Sequence, residues 1–390
     1  MKRSVNRLSL VAAVAPMVLL AACGAKPIVG VLLAETGAAA SYGKAMRQGI
    51  ELAIEQSKAQ GTYPENLVVH WADSGTDPEQ ATSALRDLAS KGCKLVVGGV
   101  TSGEASALLP ELEQNQVIML SPSASAPHLT KDSRLFFRVF TSDELEGRRA
   151  GRFLREDQDK SSVLILTEDS IQARGIEPPF RQVFEQTMAG KVVGRVVMAD
   201  ASWEQQATDL VLGSAPQAAY VIGYADSTLR AISLLRRLNF QGVICATSAF
   251  YSGDLVDDSI DVLEGVFFPQ PAFDLTDEKP LVERFVSSYR TRFGSDPDIY
   301  AAHAFDAMKV AMHVADEVSA FEVGELRKAL AFSVKEFPGV TGIIQFNDYG
   351  DVHRNPIMFI IKDGQVRNYE RWLDEEKQRI RDRIRNILRG

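Results

Sequence analysis

Two short stretches of this 390-residue chain place hydroxyl groups where an anion can be held. Thr101-Ser102-Gly103 follows the apolar run 95–98 and opens a helical pattern, and Ser121-Pro122-Ser123-Ala124-Ser125 follows the apolar run 117–120. A strand that feeds a helix leaves backbone N–H groups without intrahelical partners, and hydroxyls beside them add O–H donors. A carboxylate is the kind of small group such a set accepts. The competing role for Ser102 and Ser125 is helix capping, which serine performs often. Asp169 and Asp226 stand at other strand ends, open to a cationic group or to capping. Tyr42 and Tyr224 fall in strand-to-helix loops, where ring faces meet an apolar or planar ligand part, and Phe250-Tyr251 is a third such place.

Other chemistries find no residues. There is no GxSxG, no HExxH and no glycine-rich loop ending in Lys-Ser or Lys-Thr, and no histidine motif matches Ser102 or Ser125. The chain therefore reads as a non-enzyme without a cofactor. Five scattered histidines and three cysteines supply no metal-ligand spacing. The formal net charge of −8 argues against nucleic acid as a partner. Cys93 and Cys245 sit beside apolar strand-like runs and read as buried free thiols.

The elements that must position these residues alternate along the chain. Strands are expected at 28–34, 67–72, 95–98 and 117–120, with helices at 41–60, 78–90 and 103–115 between and after them. That is the pattern of a parallel sheet covered on both faces. It restarts after 136–140, with strands at 163–167, 192–198, 219–223 and 243–246. Helices at 179–188, 203–212 and 227–239 separate these strands. Helices at 281–293, 298–318 and 324–331 follow, then strands at 342–346, 357–361 and 366–369. The fold class is α/β, in two units, and the late elements suggest that the chain crosses back between them.

The start of the chain is a leader. Lys2, Arg3 and Arg7 precede an apolar run over 8–20, too short to span a bilayer comfortably, and Leu20-Ala21-Ala22-Cys23-Gly24 closes it. This ending resembles a bacterial lipobox. The resemblance implies that residues 1–22 are a lipoprotein signal peptide and that Cys23 becomes the acylated first residue, anchored to a membrane and facing the periplasm or the extracellular side.

Several further stretches resemble one family. They are Gly30-Val31-Leu32-Leu33-Ala34-Glu35-Thr36-Gly37 with Tyr42-Gly43-Lys44, Asp73-Ser74-Gly75-Thr76-Asp77-Pro78, Thr101-Ser102-Gly103, the serine run 121–127, Tyr300-Ala301 with Phe305-Asp306-Ala307, and Phe337-Pro338-Gly339-Val340-Thr341-Gly342. In this order they are similar to the leucine/isoleucine/valine-type substrate-binding proteins of ABC transporters, over about residues 27–370. The resemblance implies a type 1 periplasmic binding protein fold: two doubly wound parallel-sheet lobes joined by three crossovers, near 141–143, 269–273 and 347–352. Lobe I would comprise 27–142 plus 272–347, and lobe II 143–271 plus 348–370. A small carboxylate or amino-acid-like ligand would be trapped between the lobes and delivered to an ABC permease. A ligand-sensing or scaffold lipoprotein acting through an envelope partner is the alternative.

By the same resemblance, Ser102, Ala124 and Ser125 would hold the ligand carboxylate. The acid that meets the ligand ammonium would fall at Thr247-Ser248-Ala249, where Ser248 stands instead, leaving Asp226 or Asp169 to substitute. A family tyrosine loop has become Ala173-Arg174-Gly175, and an inward Arg174 would favour a carboxylate ligand without a free ammonium. The family disulfide would join positions 76 and 101, both threonine here, so the two are expected as neighbours. Residues 371–390 depart from the family as an amphipathic helix with Leu373, Ile380, Ile384, Ile387 and Leu388 on one stripe. From Lys377 onward it holds six basic residues against one acid. Docking on the lobe, pairing with a partner and lying on anionic lipid compete for that stripe.

Overall fold

A computed structural model of the chain describes residues 26–250, 259–352 and 354–389. The leader and Cys23 lie outside these residues, as does Tyr251. The first sheet is fully parallel, in the order β2-β1-β3-β4-β5. Its strands are β1 (Ile28–Leu33), β2 (Val68–Asp73), β3 (Leu95–Gly98), β4 (Ile118–Ser121) and β5 (Phe136–Arg138). The helices α1 (Ala40–Ala59), α2 (Pro78–Ser90), α3 (Ser102–Asn115) and α4 (His128–Asp132) connect them. Local chemistry sets their starts: Asp77 caps α2 by accepting from the Gln80 amide at 2.8 Å, with Pro78 in the first turn.

The chain then crosses to a second sheet through α5 (Asp143–Arg152). That sheet runs β14-β13-β10-β9-β8-β6-β7. Its parallel part is β6 (Ser162–Thr167), β7 (Lys191–Val197), β8 (Ala218–Ile222), β9 (Val243–Ala246) and β10 (Phe267–Gln270). The helices α6 (Ile171–Arg181), α7 (Trp203–Ser214) and α8 (Ala225–Arg237) belong to the same unit. After β10 the chain returns. The helices α9 (Pro280–Phe293), α10 (Ile299–Glu317) and α11 (Val323–Phe332) contribute to the first core, through Phe285, Ile299, Met308, Val314 and Leu326. Gly49 of α1 lets α10 come close: a Cβ there would meet the Ala301 carbonyl at 2.1 Å. A short hairpin follows, β11 (Phe337–Gly339) with β12 (Gly342–Ile344). A third crossing then delivers the antiparallel pair β13 (Ile357–Lys362) and β14 (Gln365–Asn368) to the second sheet, and α12 (Tyr369–Arg389) ends the chain. These are the two lobes and three crossovers expected of the fold class.

The crossings are clasped together. Arg138, fully buried at the end of β5, pairs with Asp351 on the third crossing and donates to the Ala126 carbonyl at 2.9 Å. Thr130 donates to the same Asp351 carboxylate at 2.8 Å. Arg354 donates to the Val139 carbonyl and to the Thr341 hydroxyl. An unpartnered buried guanidinium is costly, so these bonds are the condition for running charged side chains through the joint.

The strand expected at 342–346 stops at Ile344 in the short hairpin, and one helix departs further from its expected limits. The helix expected at 179–188 begins instead at Ile171, where Ser170 accepts from the Ala173 amide at 3.1 Å. Pro178 and Pro179 lie inside it rather than at its start, and the chain widens to a π-helix over Gln182–Thr187. Proline without an N–H leaves carbonyls one turn back without donors, so the helix carries two such gaps before it widens. Cys93 and Cys245 are buried and free.

Candidate functional site

A cleft of about 750 Å³ opens between the lobes at the carboxyl ends of the strands. That is where ligands of open parallel sheets bind. The first lobe contributes Tyr42 at the start of α1, Thr76 after β2, and Thr101 and Gly103 at the start of α3. The second contributes Glu168 after β6, Ser170 and Ile171 at the start of α6, and Tyr224, Asp226 and Ser227 at the start of α8. Four helix N-termini thus border one space, and each brings amides without intrahelical partners.

Tyr42 spans the cleft. Its hydroxyl donates to the Ala249 carbonyl of the other lobe at 3.2 Å, and its ring lies 4.7 Å from that of Tyr300. Burial pushes its phenol up to about 12, helped by the charges of Asp298, Asp226 and Glu168. Tyr224 is raised as well, first by burial and then by Asp143. Glu168 accepts from the Tyr224 amide at 3.2 Å and from the Ser227 hydroxyl. Asp226 is exposed at the first turn of α8 and has no hydrogen-bond or ion-pair partner among the described residues. No lysine or arginine among the described residues lines the cleft.

The serines stand together but face inward. Ser102 Oγ accepts from the amides of Ser125 at 3.2 Å and Ala126 at 3.1 Å. The Ala124 amide donates to Ser121 Oγ at 2.9 Å. The N–H groups of Ala124 and Ser125 are therefore spent on neighbouring hydroxyls instead of converging on an open point, and all three residues are buried. Thr101 faces the cleft and closes a capping box with Glu104: its hydroxyl donates to Oε2 at 2.8 Å and accepts from the Glu104 amide at 3.2 Å. Thr76 lines the same cleft as Thr101.

Arg174 is not in this cleft. It pairs with Asp169 at the surface and lines a separate groove beside Pro127, His128 and Glu144. The helix that carries it starts at Ile171, earlier than its prolines suggest, so position 174 lies in its first turn. Ser248 is buried and held by an acid from another element. Glu146 on α5 accepts from its amide at 2.7 Å and its hydroxyl at 2.8 Å. Phe250 packs in the second core against Phe268, and Trp203 joins the same core. Trp71 is covered by the Arg47 guanidinium, 4.4 Å from its ring centre.

Asp143 and Glu146, fully buried on one face of α5, carry no sequence signal that marks them. Burial pushes Asp143 up to about 7, against the opposing pull of the Ser125 hydroxyl and the Arg138 charge, and neither of its oxygens has a well-formed hydrogen bond among the described residues. Burial, and then the charge of Asp143, pushes Glu146 up to about 8. Burial raises Tyr220, Cys245 and Tyr300 as well, and the charge of Glu146 adds to each.

Residues 28–365 match the family described as periplasmic binding protein. The chain belongs to that family. This periplasmic binding protein is 24% identical over 320 residues to the leucine-, isoleucine-, valine-, threonine- and alanine-binding protein of Pseudomonas aeruginosa, covering 81% of this chain and 84% of that one. It is 24% identical over 356 residues to the Leu/Ile/Val-binding protein homolog 2 of Brucella abortus, covering 88% and 92%. Among solved structures it resembles the branched-chain amino acid substrate-binding protein LivJ of Streptococcus pneumoniae in complex with isoleucine. There the TM-score is 0.79 at 24% identity, over 88% of this chain and 98% of that one. A solute-binding protein from R. palustris in complex with benzoate aligns at a TM-score of 0.76 and 20% identity, over 88% and 95%. No described helix of this periplasmic binding protein is long and apolar enough to cross a membrane.

Proposed function

We propose that this protein is a lipid-anchored extracytoplasmic receptor that closes two lobes over a small amino-acid-like ligand and presents the closed form to an ABC permease. The anchor would be Cys23. Lobe I would comprise 27–142 with 272–347, and lobe II 143–271 with 348–370. The observation that carries the reading is the interlobe cleft, with helix N-termini of one lobe facing acids of the other. A ligand carboxylate at the first turn of α3, near Thr101 and Gly103, would meet backbone N–H groups. Its ammonium would lie toward Asp226, unpartnered among the described residues on the opposite wall.

This supports a zwitterion over the ammonium-free carboxylate favoured by an inward Arg174, because Arg174 points elsewhere. Ligands named for relatives include both kinds, branched-chain amino acids and benzoate. Calorimetric titration with leucine, alanine and benzoate tests the reading. Binding of an amino acid that weakens about tenfold or more in Asp226→Asn supports it. Binding of benzoate alone, or leucine binding untouched by that change, refutes the ammonium assignment. Loss of Cys23→Ala protein from the membrane fraction tests the anchor, and unchanged attachment refutes it.

A further inference from the structure

The last helix carries an apolar face that nothing in the described structure covers. Among the described residues, α12 is tied to the second lobe only at its start. Tyr369 packs edge-on against Phe153 and Phe267, each at 5.4 Å, and Trp372 and Leu373 are half-buried on the same core. Further along, Ile380 is 54% exposed, Ile384 51%, Ile387 71% and Leu388 81%. Most helical stability in a protein comes from packing of an amphipathic face, and a row of exposed aliphatics marks an interaction surface.

The flanks of the row say what covers it. Leu373, Ile380 and Ile387 recur at sevens, with Lys377 and Ile384 between them, which is the seam spacing of a two-stranded coil. One flank holds Asp374 and then Arg381, the other Glu376 and then Arg383. Each flank changes sign along the helix, acidic toward its start and basic toward its end. A helix built for anionic lipid would carry bases alone on both flanks. Within the helix, Lys377 pairs with Asp374 at 3.4 Å and Arg379 with Glu376 at 2.6 Å, while Arg381 and Arg383 have no acidic partner among the described residues.

We infer that α12 docks a second copy of this chain, the two α12 helices lying antiparallel. In the register that sets Leu373 against Ile384 of the second copy, and Ile380 against Lys377, Asp374 meets Arg381 and Glu376 meets Arg383. Symmetry repeats each pair. The lysine stem covers the facing isoleucine while its ammonium reaches water. Parallel pairing would match only Glu376 with Arg381, and it would bring both lobes to one end of the coil. The apolar seam supplies the affinity, and the surface ion pairs choose direction and register.

The test is sedimentation velocity of the purified full chain over a wide concentration range. A concentration-dependent dimer is expected. Arg381→Glu with Arg383→Glu turns every cross-pair repulsive and should weaken the dimer about tenfold or more. Adding Asp374→Arg and Glu376→Arg to those two changes inverts both flanks and should restore it. All four side chains lie at the surface, and an unchanged thermal midpoint verifies that the variants fold. A wild-type monomer at every concentration overturns the inference, as does a monomer that binds anionic vesicles through α12. A dimer that survives the double reversal, or a fourfold variant that fails to recover, overturns the antiparallel register.

Discussion

Replacing Glu146 with glutamine should change how stability depends on pH. Glu146 and Asp143 titrate near 8 and near 7 in the folded chain, against ordinary values of 4.5 and 3.8. Between the ordinary and the raised values, the folded chain holds protons that the unfolded chain has released. The contribution of this pair to stability is therefore full below the ordinary range and declines as pH climbs toward the raised values. At about 1.36 kcal/mol per unit, the pair lowers stability by several kcal/mol between about pH 5 and pH 8. Asp143 titrates with Glu146, so removing one charge also relieves the other. Glutamine keeps an acceptor for the Ser248 amide, now bonded at 2.7 Å, and offers a donor to the Ser248 hydroxyl. Urea unfolding at several pH values reads the difference between variant and wild type. That difference should grow by about 2–4 kcal/mol in favour of the variant from about pH 5 to pH 8. A difference that stays constant within about 1 kcal/mol over that range refutes a carboxylate pair held protonated by burial.

Three further outcomes are expected. Tyr42→Phe removes a hydroxyl that reaches Ala249 across the cleft and should weaken ligand binding about fivefold with little change in thermal midpoint, as titration and melting together will show. Ser102→Ala strands the amides of Ser125 and Ala126 and should cost about 1–3 kcal/mol of stability, measured by urea unfolding. Asp351→Ala leaves the fully buried Arg138 without its carboxylate and should cost about 3–5 kcal/mol in the same assay. A loss under about 1 kcal/mol there would mean that the joint does not depend on this pair.

The strands were legible in the sequence because a parallel sheet covered on both faces is written as short apolar runs. The runs at 95–98 and 243–246 coincide with β3 and β9 to the residue. The helix at Pro178-Pro179 was misread because proline at a helix start and proline inside a widened helix look the same locally. Only Ser170 and the π-turn separate them. Tyr42, Tyr224 and Asp226 could be placed in the cleft because loops after strands gather at one end of a sheet. The inward bonding of Ser102 and Ser125 could not be read, since it depends on two loops meeting across β3 and β4. Glu146 was invisible for a stronger reason: its partner Ser248 lies 102 residues away and on another element.

The three crossings also bear on how the chain can mature. The first sheet is complete once β5 is made, but the core on which it rests also draws on α9, α10 and α11, far downstream. The second sheet awaits β13 and β14, which come after all the helices that return to the first core. Neither half can therefore be completed from its own first stretch of chain, and both stay incomplete until residues 352–368 have been made. A nascent chain of this design holds both halves short of their full cores until late segments arrive, which suits a polypeptide that is threaded through a narrow export channel before it folds.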